Sequence, residues 1–155
     1  MMTPEATLEQ DGVLLPTRHP AVGTYDMAVR TGSLLFVSGH GAFDCGRPIH
    51  TGRLGEQLST AEGAAAAEAV MLNLLATVKA EVSDLSRVAR FVKLVVFVNS
   101  TPHFEEQHIV ANGATDLLVR TFGERIGRPA RSAVGVSALP LGFAVEIEAV
   151  VEVAG

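Results

Sequence analysis

A single cysteine, Cys45, and no tryptophan occur among the 155 residues. One thiol can close no internal disulfide and supplies no Cys-x-x-Cys metal knuckle, so a reducing, cytoplasmic setting is the expectation. Flanked by Asp44 and Gly46, that thiol also lacks the electropositive surroundings that activate a nucleophile. Basic side chains are scarce: 12 Lys and Arg stand against 17 Asp and Glu, a formal net charge of -5. They are spread thinly, without the cluster that a nucleic-acid groove requires. The five histidines include no His-x-x-x-His pair, and His103 and His108 are five apart. Metal-ligand spacing is therefore missing, and neither a metal nor a cofactor is expected. Gly39-His40-Gly41 lacks the third glycine and the following helix of a dinucleotide fingerprint. Long apolar runs are absent as well. The first twenty residues, with Glu5, Glu9 and Asp11, do not read as a signal peptide, and no run elsewhere approaches membrane-spanning length.

What is present is the composition of one globular domain, residues 1–155. Hydrophobic residues make up 48% and charged ones 19%. A chain of this length buries about 70% of its unfolded surface and folds without disulfide or metal. With aromatics at 5%, Ala, Val and Leu must fill the core. Residues 1–22 are expected to be irregular, broken by Pro4, Pro16 and Pro20. Tyr25–Arg30 and Leu34–Ser38 read as two strands around a tight turn at Thr31-Gly32-Ser33, with a glycine-rich loop from Gly39 to Gly55. Ser59-Thr60-Ala61-Glu62 is a capping box. It opens a helix from about Thr60 to Glu81, in which Ala67, Met71, Leu74, Leu75 and Val78 share one face. The β-branched run Val88–Val98 predicts a buried strand. Val110, Ala114, Leu117, Leu118 and Phe122 form the stripe of a second helix ending at Gly123. Ser132–Val136 and Val145–Val153 complete the set. In the last, an apolar face alternates with Glu146, Glu148 and Glu152. The order ββαβαββ makes an α+β sheet with both helices on one face. Its open face would carry apolar surface that oligomerisation usually covers.

Arg128-Pro129-Ala130-Arg131-Ser132-Ala133-Val134, then Leu139-Pro140, then Val145-Glu146-Ile147-Glu148-Ala149, resemble the C-terminal signature of the Rid (YjgF, endoribonuclease L-PSP-like) family of reactive-intermediate deaminases. Gly23-Thr24-Tyr25 resembles its Gly-Pro-Tyr, and Leu35-Phe36-Val37-Ser38-Gly39 its second strand. The Asn112–Leu118 run resembles a longer branch. The resemblance covers residues 23–153. It implies a chorismate-mutase-like homotrimer with clefts between subunits, in which enamines or imines derived from amino acids are hydrolysed to 2-keto acids and ammonia. By motif, Arg131 grips the substrate carboxylate and Glu146 handles the water. Tyr25, Ser38, Gly39 and Asn112 line the cleft, and the Ala133 backbone faces the substrate nitrogen. His40 stands where the family usually has Gln, and Ala133 where many members have Cys.

Each residue also has a plainer role. An arginine's planar fork matches a carboxylate in two parallel hydrogen bonds, but Arg131 could equally pair with Glu146 or Glu148 across adjacent strands. Glu146 is either a solvated glutamate or a partly buried acid–base group. His40 either donates to a ligand or is satisfied by backbone, and Asn112-Gly113 either contributes to a site or forms a turn. Three functions follow: an enamine/imine hydrolase, a protein that binds a small carboxylate or keto acid without turnover, and a ribonuclease, which the acidic balance disfavours. The expected partners are a small carboxylate-bearing substrate and two further copies of the chain, with no membrane and no nucleic acid.

Overall fold

A computed structural model describes all 155 residues, Met1–Gly155. Strands β1 (Ala28–Thr31), β2 (Leu34–His40), β5 (Val88–Asn99), β6 (Ala130–Val136) and β7 (Val145–Val153) form one sheet. Its order is β1-β2-β7-β5-β6. All pairings are antiparallel except β5 with β6. A parallel pair needs a crossover, and helix α3 (Gln107–Phe122) provides it. Helix α2 (Thr60–Val82) lies beside α3, and a small hairpin of β3 (Phe43–Asp44) and β4 (Arg47–Pro48) interrupts the glycine-rich loop.

Strand alternation sets the layers. Along β7, Val145, Ile147, Ala149, Val151 and Val153 are buried while Glu148 is exposed. The buried set joins Leu94, Val96 and Val98 of β5 and the inner residues of α2 and α3 in a cluster of 30 buried residues. The ββαβαββ α+β reading therefore describes the layers found. On the other face the chain leaves Val29, Phe36 and Val134 exposed.

The capping box at α2 forms as its sequence dictates. Glu62 N donates to Ser59 Oγ at 3.2 Å, and Ser59 N donates to Glu62 Oε1 at 3.1 Å. Small residues then let the helices approach. A Cβ on Gly113 would lie 1.9 Å from the Ala64 carbonyl oxygen, so Gly113 is a contact point inside α3 and not part of a turn. The expectation that no segment reaches membrane-spanning length needs correcting. An 18-residue window of α2 has mean hydropathy 1.3, but 61% of it is buried inside the protein. It is apolar because it packs on a sheet.

Two further expectations change. Pro4 starts a helix where the sequence suggested irregular chain. α1 (Pro4–Gln10) has Pro4 in its first turn, where the missing N–H costs nothing, and Thr3 caps it by accepting from Ala6 N at 3.2 Å. Glu5 Oε1 accepts from Leu85 N at 2.8 Å, and Asp11 pairs with Arg120 at 3.3 Å, which fastens α1 to the body. Tyr25 precedes β1 and is not part of it.

His40 lies in the core at 4% exposure. Its Nδ1–H donates to Ser38 O at 2.6 Å, and its Nε2 accepts from the Thr77 hydroxyl of α2 at 2.7 Å. Both ring nitrogens are occupied, so of its two sequence readings the structure adopts the satisfied histidine. Burial pushes its pKa below the ordinary value of 6.5, against the Ser38 hydrogen bond that raises it. At this residue the folded state thus binds fewer protons than the unfolded one, and the contribution of His40 to stability falls as pH drops below about 6.5. Urea midpoints measured at pH 7.5 and 5.5 should fall toward the lower pH. His40→Gln, whose amide can still donate to Ser38 O, should flatten that difference. An equal slope in both proteins would exclude His40 as its source.

Candidate active site

Arg131 comes from the edge strand β6, opposite Leu94 of β5, so its side chain emerges on the helix-covered face. There it meets the flank of α3. Nη1 donates to Asn112 Oδ1 at 2.8 Å and to Thr115 Oγ1 at 3.0 Å, and Nη2 donates to His108 O at 3.1 Å. Asn112 and Thr115 are three residues apart and so share one helix face. These contacts use three of the five guanidinium N–H groups, leaving Nε–H and one Nη2–H without a partner in the chain. The cross-strand ion pair with Glu146 or Glu148 does not form, because Arg131 has no carboxylate within salt-bridge distance. It lines a cleft of about 510 Å³ with Arg120 and Arg128. Arg120 is paired with Asp11 and Glu68, and Arg128 with Glu124. Arg131 is thus the cation in that cleft held only by neutral acceptors.

Glu146 lies on the other face. It pairs with Phe97 of β5, three positions along from Leu94, and an odd offset on a strand reverses the side-chain direction. Backbone to backbone, Arg131 and Glu146 are separated by two strand spacings and three residues of rise, roughly 14 Å. Within one copy they do not share a cavity.

The Glu146 cavity holds about 210 Å³ at the end of the sheet where β2 finishes and β7 begins. Tyr25, Gly39 and Glu146 meet here, together with His19, Phe43 and Asn73. A Cβ on Gly39 would sit 2.9 Å from Glu146 Cδ and Oε2, so any larger residue there would make the Glu146 side chain shift. The carboxyl therefore rests over the Gly39 backbone. Burial, reinforced by the charge of Glu148, raises the Glu146 pKa above its ordinary 4.5. That is the direction that suits a carboxylate to proton transfer near neutral pH.

The other sequence candidates are dispersed. Asn112 stands with Arg131. Ser38 lines a groove on the uncovered face with Phe36, Lys93 and Glu148, and its Oγ donates to Asp26 O at 2.6 Å. Ala133 lies two residues beyond Arg131 on β6, its methyl packed against the core. Sequence reasoning missed Thr115, although its spacing from Asn112 was visible. It also missed His19 and Phe43, which carry no periodic signal. No three His, Cys, Asp or Glu side chains gather as a metal-ligand set.

The family profile described as Endoribonuclease L-PSP matches residues 16–153. A relative from Trypanosoma cruzi, Protein TCP17, is 47% identical over 147 residues, spanning 95% of this chain and 92% of its own. The crystal structure of the protein Atu1372 from Agrobacterium tumefaciens is 41% identical with a TM-score of 0.90, covering 97% of this chain and 92% of that one. RidA from the Antarctic bacterium Psychrobacter sp. PAMC 21119 is 32% identical with a TM-score of 0.60, over 88% and 94% of the two chains. The fold shared with these neighbours is the chorismate-mutase-like α+β fold. The chain belongs to the endoribonuclease L-PSP family, the Rid or YjgF family of the sequence resemblance.

Proposed function

We propose that this protein hydrolyses small enamines or imines derived from amino acids, giving 2-keto acids and ammonia, in clefts between the copies of a homotrimer. The observation that carries the reading is the state of Arg131. Neutral acceptors on α3 fix its guanidinium, no acid neutralises it, and two N–H groups remain without a partner in the chain. Such a group fits a carboxylate in two parallel hydrogen bonds. Glu146 supplies the complementary half: a half-buried carboxylate with a raised pKa, able to take a proton from an attacking water. The substrate carbon is already electrophilic, so positioning and one base suffice, and no metal or cofactor is invoked.

One copy does not bring the two halves together, which favours a cleft formed by two. Arg131 and Asn112, with the Ala133 backbone, would come from one copy, and Glu146, Tyr25 and Gly39 from the next, with Ser38 on the face between them. The exposed Val29, Phe36 and Val134 of the uncovered face offer the apolar surface such an assembly would bury. In this reading the setting is the reducing cytoplasm, where the exposed Cys45 thiol stays free. The relatives' ribonuclease name finds no counterpart in a net charge of -5.

Ammonia release from enamines generated in situ from several amino acids tests the proposal, with mass by light scattering alongside. The wild type should turn over as a trimer. Arg131→Lys should retain the trimer yet lose about a hundredfold in rate, because a point charge lets the substrate tilt where a fork does not. Lysine activity close to wild type would show that charge alone suffices. A wild type of monomer mass near 16.3 kDa would remove the shared cleft.

Glu146→Gln should separate activity from stability. A carboxyl whose folded pKa is raised favours the fold below its ordinary value, and that contribution disappears as pH rises through the raised value. The glutamine variant should therefore be inactive yet more stable than wild type at about pH 7, with the advantage vanishing near pH 4. A variant less stable than wild type at neutral pH would contradict the burial argument.

A further inference from the structure

Hydrolysis of an iminium needs proton transfer on both sides of the carbinolamine. Water gives up a proton as its oxygen bonds to the substrate carbon, and the amine takes one up before the carbon–nitrogen bond breaks. Glu146 fits the first transfer. A second group able to exchange a proton lines the same cavity, in the segment before β1.

His19 lines the Glu146 cavity. Its ring stacks on Phe43 with centroids 3.6 Å apart and planes 10° from parallel, and Phe43 packs edge-on against Phe143 at 5.2 Å. Beneath this, a Cβ on Gly41 would come within 2.3 Å of the Phe143 ring, so the aromatic wall is packed directly against backbone. The neighbouring Arg18 pairs with Glu81 of α2 at 3.5 Å, which ties the segment down. His19 Nδ1 lies 2.8 Å from the carbonyl oxygen of Pro20. A carbonyl only accepts, so Nδ1 carries the hydrogen and Nε2 holds the free lone pair of the neutral ring. No group in the chain occupies Nε2. The other histidine of the cavity, His40, has both nitrogens engaged and cannot exchange a proton without breaking a core contact.

We propose that His19 is a second catalytic residue of this cavity, the group that protonates the departing nitrogen. The role rests on the enamine-hydrolase reading of Glu146. The sequence starts from the iminium, water, the Glu146 carboxylate and the His19 imidazolium. The water oxygen bonds to the iminium carbon while Glu146 takes one water proton, leaving a neutral carbinolamine. His19 Nε2 gives its proton to the amine. The carbon–nitrogen bond breaks with its electron pair on nitrogen, the hydroxyl proton returns to Nε2, and the carbonyl forms. Iminium and water have become keto acid and ammonia, and the proton on Glu146 leaves with ammonia as ammonium. Pro20 O holds the ring in the tautomer whose Nε2 is available throughout, and the Phe43 stack fixes its plane.

His19→Phe and His19→Ala separate chemistry from packing, because phenylalanine keeps a planar ring against Phe43 and alanine does not. Ammonia release should be followed as kcat and KM across pH, with wild type beside both variants. In His19→Phe, kcat should fall about a hundredfold, in line with the usual contribution of general acid–base groups. KM should stay within a few-fold, and the limb of the pH profile that reports a group acting in its protonated form should disappear. His19→Phe with wild-type kcat and an unchanged profile overturns the role, as does activity lost only in His19→Ala, which would make the residue a wall. A wild type that releases no ammonia from any enamine sinks the hydrolase reading and this role with it. A wild type that turns over beside an equally active His19→Phe sinks the role alone.

Discussion

Successive side chains on a strand point to opposite faces, and in this sheet that rule divides the chemistry. β5 runs between β7 and β6. Leu94 and Phe97, an odd number of positions apart, hand their neighbours to different sides. Arg131 is therefore carried under α3, where Asn112, Thr115 and the His108 carbonyl hold it. Glu146 is carried to the face no helix covers. No rotamer change brings the two together through the sheet. The proposed assembly, the apolar groove containing Phe36 and the separate identities of the two cavities all follow from that parity.

The two halves are stabilised in different ways. Arg131 keeps its charge in a partly open cleft, and its partners are dipoles, so in the proposed function a ligand carboxylate would meet a cation already aimed and not yet neutralised. Glu146 is destabilised where it stands. Burial, Glu148 and the close approach of Gly39 all act against its ionised form or its room to move. In the proposed hydrolysis that raised proton affinity has a use, and His19, lining the same cavity, would take the complementary task.

The layers were legible because they rest on local, periodic signals. The Ser59–Glu62 box, the stripes of α2 and α3 and the alternation of β7 each specify one element and its buried side. Proline is less informative: as a breaker Pro4 predicts irregular chain, yet at the first turn of a helix it is favoured, and only the docking of Glu5 and Asp11 reveals why α1 forms. Motif singled out Arg131, Glu146, Tyr25 and Gly39 as candidates, and helical spacing could have added Thr115 beside Arg131. His19 and Phe43 were invisible. They meet through a fold in irregular chain, 24 residues apart in sequence with no shared period, and stacking of that sort leaves no trace in a pattern. His40 was undecided for a related reason, since its partner Thr77 is 37 positions away.

The position of β7 bears on how the chain folds. It is the last strand in sequence and the central one in space, bonded to β2 on one side and to β5 on the other. Until β7 is in place, β1 with β2 and β5 with β6 are two separate ribbons, each with an open edge and an unburied apolar face. Leu35 waits for Val151, and Phe91 for the same residue from the opposite side. Pairings this distant in sequence carry a large loop-closure entropy and slow the search. The folding chain is thus exposed to edge-to-edge misassociation until the nine-residue β7 joins the two ribbons in one step.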